Sequence, residues 1–266
     1  MPDGQTRVED ELLYEIRDGV GFVTLNRPHA RNALTFDMYE RLAEICSTIP
    51  DDGSVHALVV TGAGEKAFAA GTDISLFHDF STPERGIEYE TTSEAAFQAY
   101  ETCPVPMIAA ISGACTGGGA AIAACCDMRF STPTLKFGFP ISKTLGNCLS
   151  VKTLSRVVKH IGEARTKELI ITCRLIEADE ALRLGLVNEL LPNHAALMER
   201  VTSFATGLKN HAPLTMQAAK VLLKRLHEQG PEADDHDWVG KVYASADFKE
   251  GREAFLEKRK PKWTGR

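Results

Sequence analysis

The chain has 266 residues, 44% hydrophobic and 25% charged, with a formal net charge of −6. This is ordinary globular composition, long enough for one large domain or for one domain with an appendage, and its negative balance argues against a nucleic-acid footprint. No apolar run nears the roughly 18 residues that span a bilayer, the start MPDGQTRVED has no apolar signal core, and seven cysteines lack any Cys-x-x-Cys pair; we expect a soluble, cytoplasmic protein with free thiols and no membrane partner.

In chain order, Leu12–Ile16 and Val20–Leu25 alternate around Asp18-Gly19 and predict a β-hairpin. Met38, Leu42, Ile45 and Ile49 fall at helical spacing over Thr35–Ile49, with Thr35 as the cap. Val55–Thr61 and Met107–Ile111 are short apolar strands. Pro83–Thr102 is a helix with a weak pattern, read with Ile87, Ala95 and Phe97 inward. A short helix covers Ala120–Cys125. Ser150–His160 and Glu163–Thr172 are helices separated by Gly162, Asp179–Leu184 is a short helix, and Leu186–Leu191 a strand. From Asn193 onward the chain reads as helical, divided at Pro213, Pro231 and Gly251. The repeat of strand and helix predicts an α/β body over 1–192 and a helical region over 193–266.

Two glycine-bearing stretches hold the chemistry. In Ala114–Cys126 three consecutive glycines, Gly117 to Gly119, lead into a small-residue helix. Such a turn presents bare N–H groups at a helix N-terminus, and with no basic residue following it fits a developing oxyanion better than a phosphate. Alternatively, the glycines only permit close packing. The other stretch is Phe68-Ala69-Ala70-Gly71-Thr72-Asp73, after the turn Gly62-Ala63-Gly64. Read with Ser112-Gly113-Ala114-Cys115-Thr116-Gly117-Gly118-Gly119 and Cys126-Asp127, it resembles the crotonase superfamily, the enoyl-CoA hydratase/isomerase family. Leu25-Asn26-Arg27-Pro28, Asn32-Ala33-Leu34, Phe137-Gly138, Ala181-x-x-Leu184-Gly185-Leu186-Val187 and Phe255-x-Glu257-Lys258-Arg259 match in the family's order across nearly the whole chain.

The resemblance implies a crotonase-like spiral of β-β-α units with a C-terminal helical region that assembles trimers or hexamers. It implies an acyl-CoA substrate from fatty-acid metabolism, no separate cofactor and no metal. The backbone amides of Thr72 and Gly118 would hold the thioester oxyanion, with Asp73 bracing that loop. Lys66, Ala70, Ile74 and Lys258 stand where relatives bind CoA. The two hydratase glutamates, however, fall on Ala121 and Ile141, neither of which moves a proton, and acid–base help is typically worth about 10²–10⁴-fold. Asn147, Glu90 and Glu94 are the candidate acid–base or substrate-orienting replacements, with Glu88 and His78 in the same acyl-pocket segment. Lys143 reads as a solvated charge, Cys148 as a buried inert thiol, and His236 as part of a polar helix start.

Three readings follow. One is a lyase or isomerase of this family with altered acid–base groups. Another is a hydratase with a relocated carboxylate, and the third a non-catalytic acyl-CoA-binding protein. A dinucleotide fingerprint over Gly62–Ala67 is weakened by Phe68-Ala69-Ala70-Gly71, which interrupts the helix it needs.

Overall fold

The computed structural model describes residues 8–50, 52–78 and 80–266. A helical turn, α1 (Val8–Glu11), leads into the predicted hairpin, β1 (Leu12–Arg17) and β2 (Val20–Leu25), with Leu12 opposite Leu25 and Arg17 opposite Val20. The Thr35 hydroxyl accepts from the Met38 amide and starts α2 (Phe36–Ser47). The chain then runs through β3 (Ala57–Gly62), β4 (Ala67–Ala69), α3 (Pro83–Glu101), β5 (Met107–Ile111), β6 (Ala114–Thr116) and α4 (Gly118–Cys125). Next come β7 (Met128–Ser131), β8 (Lys136–Gly138), α5 (Val151–Thr172), β9 (Ile176–Glu177), α6 (Ala178–Arg183) and β10 (Glu189–Leu190). The remainder is α7 (His194–Gly207), α8 (Pro213–Gln229), α9 (His236–Tyr243) and α10 (Ala246–Leu256).

The strands form two sheets, in the orders β1-β2-β3-β5-β7-β10 and β4-β6-β8-β9. Three times in succession the chain lays one strand in the large sheet and the next in the small one: β3 then β4, β5 then β6, β7 then β8. This is the expected spiral. The central strands β3 and β5 of the large sheet are buried on both faces, so they read as continuous apolar runs, whereas the edge strand β1 exposes one face. Leu58 and Val60 of β3, with Met107, Ala109 and Ile111 of β5, face the core shared with α2 and α4. Ala57 and Val59, with Ile108 and Ala110, face the opposite way, onto Leu197, Val201 and Ala205 of α7. The helical region that begins at 193 thus contributes its first helix to the packing of the sheet.

Several expectations need correction. Ile87 and Ala95 are exposed, and α3 instead buries Ser93, Ala96, Phe97 and Tyr100. Gly251 lies inside α10 and divides nothing. The strand expected over Leu186–Leu191 shrinks to Glu189–Leu190. Gly162 does break the helical stretch: at φ 76° and ψ 162° it kinks α5 in a conformation that side chains disfavour.

Candidate active site

β4 and β6 are parallel neighbours, pairing Ala67 with Ala114. Loops leaving the same end of neighbouring parallel strands emerge side by side. The two glycine stretches, more than forty residues apart in sequence, therefore meet at the C-terminal ends of these strands. A β-carbon on Gly117 would stand 3.3 Å from the Gly71 Cα, and Gly117 itself takes φ 54°. Its amide is spent on the Gly138 carbonyl, so α4 begins at Gly118 with its first-turn amides unused by the helix.

Thr72 is held in an isolated parallel bridge with Leu34. The Leu34 amide donates to the Gly71 carbonyl and the Asp73 amide to the Leu34 carbonyl. Backbone groups alternate sides in extended chain, so the Thr72 amide faces away from that bridge. The brace explains the Asn26–Leu34 motif. The Asn32 amide group donates to the Ala63 and Ala67 carbonyls, and Arg27 donates to the Ala33 carbonyl and, at 2.9 Å, to Asp73. Asp73 also accepts from the Ser75 amide and hydroxyl; these bonds, together with Arg27, hold its carboxyl below the usual carboxylate range. It is a loop brace, as expected.

Thr72 and Gly118 line one cavity of about 160 Å³. Ala70 and Ile74 line it as well, as do Asn147 and Glu90. Ala121 and Ile141 also lie on its wall, so the two positions where the resemblance places glutamates present only aliphatic surface. Glu90 is the carboxylate among the described lining residues. Burial raises its pKa, partly offset by hydrogen bonds from the Ser150 amide and hydroxyl.

The other candidates lie elsewhere. Glu94 does not line the cavity; it is gripped by both terminal nitrogens of buried Arg156, at 2.6 and 2.7 Å, while Arg156 also pairs with Glu101. Glu88 is exposed and paired with Arg85. Lys66 and Lys258 are exposed and off the cavity wall, Lys258 just beyond α10. Cys148 is exposed, not buried, between the lining residues Asn147 and Leu149. Asp234, Asp235 and His236 bring ligand atoms within 4.8 Å of one another on the surface.

Sequence reasoning missed three tyrosines. The Tyr39 hydroxyl lies 2.9 Å from Thr72 Oγ1, which lies 3.0 Å from the Tyr89 hydroxyl, and the Tyr100 hydroxyl donates to the Tyr39 carbonyl. Tyr89 lines the cavity, and burial raises the pKa of both Tyr39 and Tyr89, so both remain phenols at neutral pH. No local sequence signal joins residues 33 and 17 positions apart.

A two-sheet spiral whose adjacent parallel strands bring Thr72 and Gly118 to one cavity is the architecture of a crotonase-type protein. Residues 15–266 match the family model for enoyl-CoA hydratase/isomerase, and the chain belongs to that family. The short-chain-enoyl-CoA hydratase of Clostridium acetobutylicum is 33% identical over 258 residues, covering 94% of this chain and 96% of that protein. The (E)-benzylidenesuccinyl-CoA hydratase of Thauera aromatica is 33% identical over 265 residues, covering 96% and 99%. Among solved structures, an enoyl-CoA hydratase/carnithine racemase from Magnetospirillum magneticum superimposes with a TM-score of 0.88 at 35% identity, covering 97% of this chain and 96% of that one. Among the described residues no helix is long and apolar enough to cross a membrane.

Proposed function

We propose that this protein is an enzyme acting on an acyl-CoA thioester, whose carbonyl oxygen sits between the Thr72 and Gly118 amides. The observation that supports this most is the meeting of Thr72 and Gly118 at one cavity, on loops that leave adjacent parallel strands. Preorganised backbone donors stabilise an enolate or a tetrahedral oxyanion without reorganising, and removing one such donor costs about 10²–10³ in rate. Ala70 and Ile74 border the CoA end, and Lys66 and Lys258 meet its phosphates from outside the cavity.

Proton movement falls to Glu90. It is cavity-lining, and its raised pKa brings it nearer the range where a carboxyl group both gives and takes a proton at neutral pH. Asn147 orients the acyl group or a water. With Ala121 and Ile141 in place of two carboxylates, concerted addition of water is poorly served. Chemistry that needs one proton-transfer group and an enolate fits better, such as double-bond migration or decarboxylation.

The test compares thioester binding with crotonyl-CoA hydration. Short- and medium-chain acyl-CoA esters bind by calorimetry, while wild-type hydration, followed by absorbance, is weak or absent. The variant Ala121→Glu/Ile141→Glu gains hydration. Efficient wild-type hydration abolished by Glu90→Gln would instead establish a hydratase with a relocated carboxylate. Binding without turnover of any thioester in a screen would identify a binding protein.

A further inference from the structure

We propose that Tyr89 is a third hydrogen-bond donor to the bound thioester, its phenol aimed at the acyl group by the hydroxyls of Tyr39 and Thr72. This rests on the acyl-CoA reading above.

Tyr89 is clamped through its ring. Its ring is packed against three phenylalanines, with centroid separations of 5.7 Å to Phe36, 5.0 Å to Phe77 and 5.9 Å to Phe80. Edge-on packing against Phe77 and Phe80 and a tilted contact with Phe36 fix the ring plane, so the hydroxyl has one station. That station is 3.0 Å from the side chain of Thr72, the residue whose own amide faces the carbonyl.

Either oxygen can donate in each link of this chain of hydroxyls, and we assign it one direction. Tyr39 is buried, and its hydroxyl lies against Thr72, Tyr89 and the Gly118 backbone, where a β-carbon on Gly118 would overlap it. Among the described residues, the hydrogen-bond partners of this hydroxyl are the neighbouring hydroxyls. A buried donor left without a partner costs about 1–3 kcal/mol. Thr72 Oγ1 has one proton and two lone pairs. When it accepts from Tyr39 and donates to Tyr89, each short contact uses one proton and nothing is stranded. The proton left over is that of Tyr89. Ser93, one turn further along α3, lines the same wall and shares it when the cavity is empty. Tyr39 is then a positioning residue, and Tyr89 the group that touches the substrate.

The experiment titrates the full-length protein with 4-(dimethylamino)cinnamoyl-CoA, a thioester whose absorbance moves to the red when its carbonyl is polarised. Wild type binds it with a red shift. Tyr89→Phe keeps the clamped ring, raises the dissociation constant by no more than about tenfold, as loss of one neutral hydrogen bond implies, and shows a clearly smaller shift. Tyr39→Phe also reduces the shift, because the Tyr89 phenol turns back to Thr72. The double variant loses no more than the worse single one. A Tyr89→Phe shift equal to that of wild type overturns the proposal and leaves the thioester reading standing. Failure of the wild type to bind the probe, or binding with no shift, overturns that reading and the proposal with it.

Discussion

Gly118 has no room for a side chain, because the Tyr39 hydroxyl occupies the place where a β-carbon would go. Overpacking of this kind costs about 1–3 kcal/mol. Gly118→Ala is therefore expected to lower the unfolding midpoint measurably. The same change in a Tyr39→Phe background should cost less, since removing the phenol oxygen opens the space. Thermal or urea melts of the two single variants and the double variant test this. A coupling of at least about 0.5 kcal/mol is expected, and strict additivity would contradict the contact. At this scale the sequence was partly legible. Thr72, Gly118, Ala121 and Ile141 stand out because each sits at a fixed offset inside a local motif. Tyr39, Tyr89 and Arg156 do not, because their roles come from partners brought near by folding alone.

At the scale of elements, α5 lies against the C-terminal end of α4 through His160. Its Nε2 is 3.0 Å from the Ala124 carbonyl, which only accepts, so Nε2 holds the proton and Nδ1 faces the Arg129 guanidinium at 3.5 Å. Burial, reinforced by Arg129, pushes the His160 pKa down to about 4. A depressed histidine pKa means the unfolded chain binds the extra proton first. Its contribution is present above the unfolded value near 6.5 and is lost as pH falls towards 4. With each pKa unit worth about 1.4 kcal/mol, the loss approaches about 3 kcal/mol. Denaturant melts from pH 7 to 4 should show a shallower decline for His160→Gln than for wild type; parallel curves would count against this assignment. The elements themselves were unevenly legible. The hairpin, α2 and the Gly162 break follow from alternation, helical spacing and a punctuating glycine. Strands β4, β6 and β8 are three residues each, β9 and β10 two, too short for any period to show. The small sheet that brings Thr72 and Gly118 together was therefore invisible to pattern, and came only through the family resemblance.

For the whole molecule, the outer surface of the tail is the notable feature. Leu223 and Leu226 on α8, Val239 and Tyr243 on α9, and Phe248, Phe255 and Leu256 on α10 are all exposed, Phe255 at 84%. By contrast Leu197 and Val201 of α7, equally apolar in sequence, are consumed by the sheet. Clustered apolar exposure on a single chain marks an association surface. We propose a homotrimer or a dimer of trimers formed through α8 to α10. Sedimentation equilibrium at micromolar concentration should give three or six times the 29.0 kDa chain mass. Phe255→Asp should shift the distribution towards smaller species, and a wild-type monomer would refute the assembly.

The exposure of Cys148 offers a built-in reporter. Of the seven thiols, five are buried and Cys173 is half-covered beside the Ser142 hydroxyl, which leaves Cys148 the most accessible to an alkylating reagent. Because both of its chain neighbours line the cavity, a guest there should shield this sulfur. Carbamidomethylation of Cys148, followed by mass spectrometry of intact protein over time, should slow as acyl-CoA is added and recover on dilution. Labelling kinetics indifferent to ligand would mean that the rim beside Asn147 stays open when the site is filled. Occupancy thus becomes readable as a mass increment, without knowledge of the reaction catalysed.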